Sequence, residues 1–181
     1  MKKREDFHEK LLGYLPGYSP VANPAPYTYR YPAALRYAIY IFVAIQLLLP
    51  FRYALYPGKL FWHEQGFRFS WRVMLMEKSG STYFTVRDTV SGKSYEVNNK
   101  EFLTPLQEKM MSTQPDLILR YAHYLAARYR ERGVANPGVY GEVYVAQNGQ
   151  RSQLFIDTTV NLAAQPLGWN HYSWVLPFKE Q

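Results

Sequence analysis

The distribution of apolar positions divides the chain into three parts. Residues 33 to 49, AALRYAIYIFVAIQLLL, form one apolar run interrupted by Arg36 near its start and Gln46 deep inside. Seventeen helical residues at 1.5 Å each reach roughly 26 Å, the short end of a bilayer span. Arg36 can carry its charge outward on its aliphatic stem. Pro50 and Pro57 punctuate the exit, and Tyr53, Tyr56, Phe61 and Trp62 follow, an aromatic cluster of the kind found at headgroup level. Beyond the run the period changes to two. FRFSWRVMLM places Phe67, Phe69, Trp71, Val73 and Leu75 on one face, the pattern of a half-buried strand. KSGS reads as a turn, TYFTVRDT alternates again, SGK turns and SYEV returns, which predicts a three-stranded meander.

The period then lengthens. Residues 101 to 133 predict a short helix over KEFLTPLQEKMM and a long one over TQPDLILRYAHYLAARYRERG. Pro115 and Asp116 suit the first turn of the long helix, basic residues its end, and Gly133 its stop. Leu117, Tyr121, Tyr124 and Leu125 are the expected core stripe. Residues 139 to 157 predict a hairpin, VYGEVYVA against RSQLFID, through the tight-turn pair Asn148-Gly149. The tail WNHYSWVLPF is aromatic and falls outside regular structure. The expected fold is α+β: one N-terminal transmembrane helix, then an antiparallel sheet (three-stranded meander plus C-terminal hairpin) with two helices on one face.

The segment before the apolar run changes that picture little. Residues 1 to 12 are charged, with Phe7, Leu11 and Leu12 able to share a helix face, and a frayed terminus reads equally well. Residues 13 to 32 hold five of the twelve prolines and five tyrosines, which predicts an extended linker. The domain reading is therefore 1–32 as a charged terminus and Tyr/Pro-rich linker, 33–56 as a transmembrane helix, and 57–181 as an extramembrane module. No signal-peptide pattern is present.

Composition narrows the chemistry. Cysteine is absent, which excludes disulfides, thiolate nucleophiles and thiolate-held metal. The formal charge of +7 suits an acidic partner, an anionic lipid surface or nucleic acid, and nothing in the sequence resembles a nucleic-acid module. No dinucleotide fingerprint, P-loop or nucleophile elbow occurs. His63-Glu64 is half of a metal or base motif without its second half. His123 lies among apolar neighbours on the long helix, as a satisfied structural histidine would. His171, in GWNHYSW, sits where irregular backbone can present side chains, and an aromatic tail sealing the sheet is the plainer reading. Arg120, Arg128, Arg130 and Arg132 could meet phosphates or anionic lipid, and a solvated helix end that complements the dipole explains them as well. No catalytic, cofactor-binding or metal-ligating residue is assigned from local chemistry.

The stretch QLLLPFRYALYPGKLFWHEQGFRFSWRVMLMEKSGSTYFTV resembles the segment after the last membrane helix of the vitamin K-dependent gamma-carboxylase and horizontally transferred transmembrane family. The resemblance is carried by Gln46, Leu48, Leu49, Pro50, Arg52, Trp62, Gly66, Phe69, Ser70, Trp71, Arg72, Val73 and Met74. It continues through FLTPLQEKMMSTQPDLILRYAHYLA and VYVAQNGQRSQLFIDTTVNLA to WNHYSWVLP, about residues 33 to 178. Departures are Asn148-Gly149-Gln150-Arg151, where the family often has Asn-Gly-Arg, and Asp157-Thr158-Thr159-Val160-Asn161, where it often has a second carboxylate.

The resemblance implies that Trp169, His171, Tyr172, Ser173 and Trp174 line a peptide- or partner-binding face. It also implies that the catalytic lysine and quinone pocket belong to a helical bundle not represented in this sequence. Two functions follow as expectations. One is a non-catalytic, membrane-anchored accessory subunit, with Gln46, Tyr53, Tyr56 and Trp62 serving the membrane interface and helix packing. Its partners would be the lipid bilayer and other transmembrane subunits of a hetero-oligomeric complex, without cofactor and without nucleic acid. The other is the substrate-binding half of a split, quinol-linked carboxylase. The expected location is a bacterial inner membrane, single-pass, with the N terminus cytoplasmic and the module periplasmic. Lys2, Lys3, Arg4 and Lys10 before the helix are nearly balanced by Arg52, Lys59, Arg68 and Arg72 after it, so the resemblance sets that orientation.

Overall fold

The computed structural model describes residues 32–73 and 76–180. The amphipathic terminus and most of the Tyr/Pro linker, together with Met74 and Leu75, lie outside them. The chain divides into two units, 1–42 and 43–181.

The apolar run is helical. Helix α1, Ala33–Leu48, buries none of its residues, Gln46 included. A 3-10 helix, Leu49–Leu55, continues it with Pro50 in the first turn. Together they form one helical segment, Ala33–Leu55, of 23 residues, long and apolar enough to cross a membrane. The helical run thus extends past the apolar stretch 33–49, because proline is tolerated at the start of a new helical turn.

Within residues 43–181 the order is a one-turn helix α2 (Leu60–His63), strands β1 (Lys78–Asp88) and β2 (Ser94–Val97), and helices α3 (Pro105–Met111) and α4 (Pro115–Glu131). Strands β3 (Pro137–Gln147) and β4 (Gln153–Leu154) and a 3-10 turn, Leu162–Ala164, follow. The four strands make one antiparallel sheet in the order β2-β1-β3-β4. The α+β class, the apolar helix and the helix-bearing antiparallel sheet are as expected. The meander is not. Residues 67–71 form turns and bends and 72–73 are irregular, in place of a first strand, and KSGS is the start of β1, where Lys78 pairs with Gln147 and Gly80 with Val145. The alternation in 67–73 finds no partner strand to satisfy its backbone; Phe67 and Ser70 bond locally instead, Phe67 N to Glu64 O and Ser70 N to Phe67 O.

The core lies on one face of the sheet. Phe84 and Val86 of β1 and Val139, Val143 and Val145 of β3 point to it, with alternate residues Tyr83, Arg87 and Glu142 outward, as the two-residue strand period requires. Helix α4 covers this face with Ile118, Tyr121, Ala122, Leu125 and Tyr129, the i, i+3, i+4 stripe of an amphipathic helix. The stripe is displaced from the one predicted: Tyr124 is exposed and Leu117 only half-buried, because Ile118 and Ala122 take the centre. Pro115 opens α4, and Thr104 with Gln107 closes a capping box on α3. Asn148 and Gly149, at φ +50° and +74°, make the predicted β3–β4 turn, whose backbone favours this pair. The tail has no helix, and one bridge, Ile156 to Val175, ties it to the sheet.

Candidate functional site

Four stretches far apart in sequence meet around a cleft of about 320 Å³. They are the 3-10 helix and the residue that caps it (Arg52, Tyr56), the end of α2 and the loop after it (His63, Gln65, Arg68), the first turns of α4 (Asp116, Arg120) and the tail (Trp169, Tyr172). Gln65 holds the tail in place. Its Nε2 donates to Asn170 O at 2.8 Å, and its Oε1 accepts from Tyr172 N at 3.0 Å. The same oxygen lies 3.0 Å from His171 Nδ1, which is then the proton-bearing ring nitrogen. Tyr56 Oη donates to Trp169 O at 2.8 Å. The tail is thus fixed largely by its backbone, and Trp169 and Tyr172 line the cleft.

The loop can approach because residue 66 is glycine. A Cβ there would stand 2.6 Å from Tyr53 Cα and 2.7 Å from Tyr53 N, and the backbone is left-handed at φ +75°. Overpacking against main chain together with a positive φ gives an expected loss of about 2 kcal/mol for Gly66→Ala. Thermal unfolding of the two proteins in the same detergent measures it, and equal midpoints would show that the contact is not formed.

The electrostatics of the cleft are asymmetric. Arg68 pairs with Asp116 at 3.0 Å and donates to Gln114 Oε1, also at 3.0 Å. Glu64 pairs with Lys78 at 2.7 Å. Among the described residues neither Arg52 nor Arg120 has a carboxylate partner; the Arg52 guanidinium lies over the Trp169 ring, 4.5 Å from its centroid, with its Nε buried and unbonded. His63 is 5% exposed. Its Nδ1 accepts from Gln65 N at 3.0 Å, which places the proton of the neutral ring on Nε2. Burial is the main cause that holds its pKa below 6.5, and the charges of His171 and Lys78 act the same way, against the Gly58 carbonyl. With Nδ1 engaged by Gln65 N and Nε2 buried on the Gly58 side, the neutral ring serves the packing of the loop. Tyr172 is raised by burial and by Asp116, so its phenol stays protonated. The cleft thus brings Arg52 and Arg120, which have no carboxylate partner among the described residues, together with the Tyr172 phenol, beside Glu64 and Asp116, whose carboxylates pair with Lys78 and Arg68.

The residues expected from sequence fall on both sides of this line. Trp169 is exposed over Arg52, His171 and Ser173 are exposed, and Tyr172 lines the cleft. Trp174 does not join them: it is 3% exposed, in the core, because Asp157 N bonds Trp174 O and turns its ring inward against Tyr172. Trp62 is likewise a core residue at 2% exposure rather than a headgroup anchor, since its ring packs between Phe155 and Phe178. Tyr53 and Tyr56 are half-buried, Tyr53 beneath Arg72 at 4.3 Å and Tyr56 at the cleft edge. His123 Nε2 donates to Gln165 O at 2.8 Å, a structural role. Asp157 and Asn161 cap turns: Asp157 accepts from Thr159, and Asn161 from Val139 N and Ala163 N. Arg52, Gln65, Arg68 and Arg120 were not identified as one site from sequence. Arg52 and Gly66 stand among the residues that carry the family resemblance; Gln65 carries no local signal.

A family model described as vitamin K-dependent gamma-carboxylase, lumenal domain, matches residues 31–181. No solved structure matches the chain.

Proposed function

The chain belongs to the family of the vitamin K-dependent gamma-carboxylase lumenal domain, and on that premise we propose that it is a membrane-anchored holding module without chemistry of its own, which presents an acidic peptide side chain to a larger membrane assembly. The observation that carries this reading is the pair Arg52 and Arg120, without acidic partners among the described residues, lining one cleft with a tail pinned by Gln65. Arginine presents a planar fork suited to a carboxylate, and stacking on Trp169 orients that fork. The role as an accessory part of a hetero-oligomeric complex is supported by α1, whose residues, Gln46 among them, are all exposed and want helix partners or lipid. The reacting centre would come from those partner helices.

The test uses the full chain in nanodiscs and a short peptide containing glutamate, with binding read by calorimetry. The glutamate peptide should bind, and its glutamine counterpart should bind at least about tenfold more weakly, the loss of one charge-assisted contact. Arg120→Gln, at an exposed position, should bring the glutamate peptide down to the glutamine value. Equal affinity for the two peptides would end the carboxylate reading.

A further inference from the structure

The loop at 67–73 leaves the protein interior abruptly. Phe67 is the last inward residue, packed against Phe61 with ring centroids 5.8 Å apart. Ser70 then bonds back to Phe67 O through both its N–H at 3.0 Å and its Oγ at 2.6 Å. That turn holds Phe69 at φ +69°, a left-handed backbone that bulky side chains rarely adopt. Its consequence is outward presentation: Phe69, Trp71 and Val73 are 72%, 69% and 73% exposed. Trp71 meets the exposed ring of Phe51 edge-on at 5.9 Å, and Phe51 belongs to the 3-10 helix that continues the apolar segment. The exposed surface is therefore continuous with the end of a membrane-length helix. Its setting is basic. Residues 51 to 73 contain Arg52, Lys59, Arg68 and Arg72 against the single acidic residue Glu64. Arg72 lies over the Tyr53 ring, so its stem follows apolar surface while its charge remains available.

Large aromatic side chains held outward beside arginine are the composition of an interfacial membrane contact. We propose that the 67–73 loop is a second membrane-binding element, which inserts Phe69, Trp71 and Val73 into the headgroup–acyl boundary of the bilayer entered by the Ala33–Leu55 segment, with Arg72 meeting anionic headgroups. The module is then held to the membrane at two points instead of swinging on one helix. Exposing three large apolar side chains is costly in water, and lipid removes that cost. The inference rests on the membrane reading of the helical segment and is independent of the carboxylate cleft.

The chain has no cysteine, so single introduced cysteines report without background. Trp71→Cys and Val73→Cys, each carrying a nitroxide, are placed in nanodiscs of phosphatidylcholine and phosphatidylglycerol. Accessibility to oxygen, which concentrates in lipid, is compared with that to a water-soluble nickel chelate. Val90→Cys, at the 75% exposed β1–β2 turn, is the aqueous reference. Both loop sites should favour oxygen, reversing the ratio at Val90. A loop as nickel-accessible as Val90 overturns the proposal. So does a loop shielded from both reagents, which would place a protein surface over it.

Discussion

Replacing Trp62 with alanine should cost about 4 kcal/mol, the range for removing a fully buried tryptophan. The indole stands edge-on to Phe155 at 4.8 Å and to Phe178 at 5.0 Å, and its Nε1 donates to Leu176 O at 2.8 Å. One side chain thereby joins α2, the residue after β4 and the C-terminal tail. Its loss removes two ring contacts, opens a cavity and leaves a carbonyl without its donor. For a protein of this size the midpoint of thermal unfolding should fall by roughly 10 °C. Trp62→Phe keeps most of the packing and loses the hydrogen bond, so its cost should be near 1 kcal/mol. Circular dichroism melts of the three proteins in one detergent decide the matter. A Trp62→Ala midpoint within a degree or two of wild type would mean that the ring faces lipid, as its sequence neighbourhood suggests.

That neighbourhood explains why Trp62 was legible only in part. A tryptophan following an apolar run, among Tyr53, Tyr56 and Phe61, has the composition of a headgroup belt whichever way it points. What turns it inward is Phe155, Leu176 and Phe178, from the far end of the chain. The same limit misread residues 67–73. Their alternation is genuine, but a strand needs a neighbour for its N–H groups, and the β1 neighbours are β3 along its whole length and β2 at Phe84–Arg87, not residues 67–73. Features decided by adjacent residues were readable: the Asn148-Gly149 turn, Pro115 opening α4, the apolar helix. The α4 stripe was found with its centre displaced, because Ile118 and Ala122 look no more apolar in sequence than Leu117 does beside Tyr124. The cleft was readable only at the tail. Its charge comes from Arg52 and Arg120, and its order from Gln65, residues that only the fold brings together.

Lys78 makes the same point, and it too carries a large expected consequence. Its place in KSGS reads as a solvent-exposed turn, yet its side chain is 5% exposed. The ammonium donates to Trp62 O at 2.6 Å and to Glu64 Oε1 at 2.7 Å, close to the Trp62 and Phe155 rings. Burial lowers its pKa from 10.5, and the charge and hydrogen bond of Glu64 pull it back up. Breaking a buried pair by removing one partner is more costly than never having built it, because the remaining ion keeps its desolvation penalty. Glu64→Gln should therefore destabilise the protein by about 3 kcal/mol at neutral pH. Without the carboxylate the folded-state pKa of Lys78 drops further below 10.5, so the unfolded chain binds the extra proton. Stability of the variant should then rise with pH between that depressed value and 10.5, narrowing its gap from wild type. Lys78→Met combined with Glu64→Gln should lose less than the two single changes added together, since no buried charge remains. The pair also joins β1 to α2 at the base of the loop that carries Gln65. If Glu64→Gln unfolds in parallel with wild type at every pH, Lys78 is hydrated, and the loop is held by Gly66 and Gln65 without it.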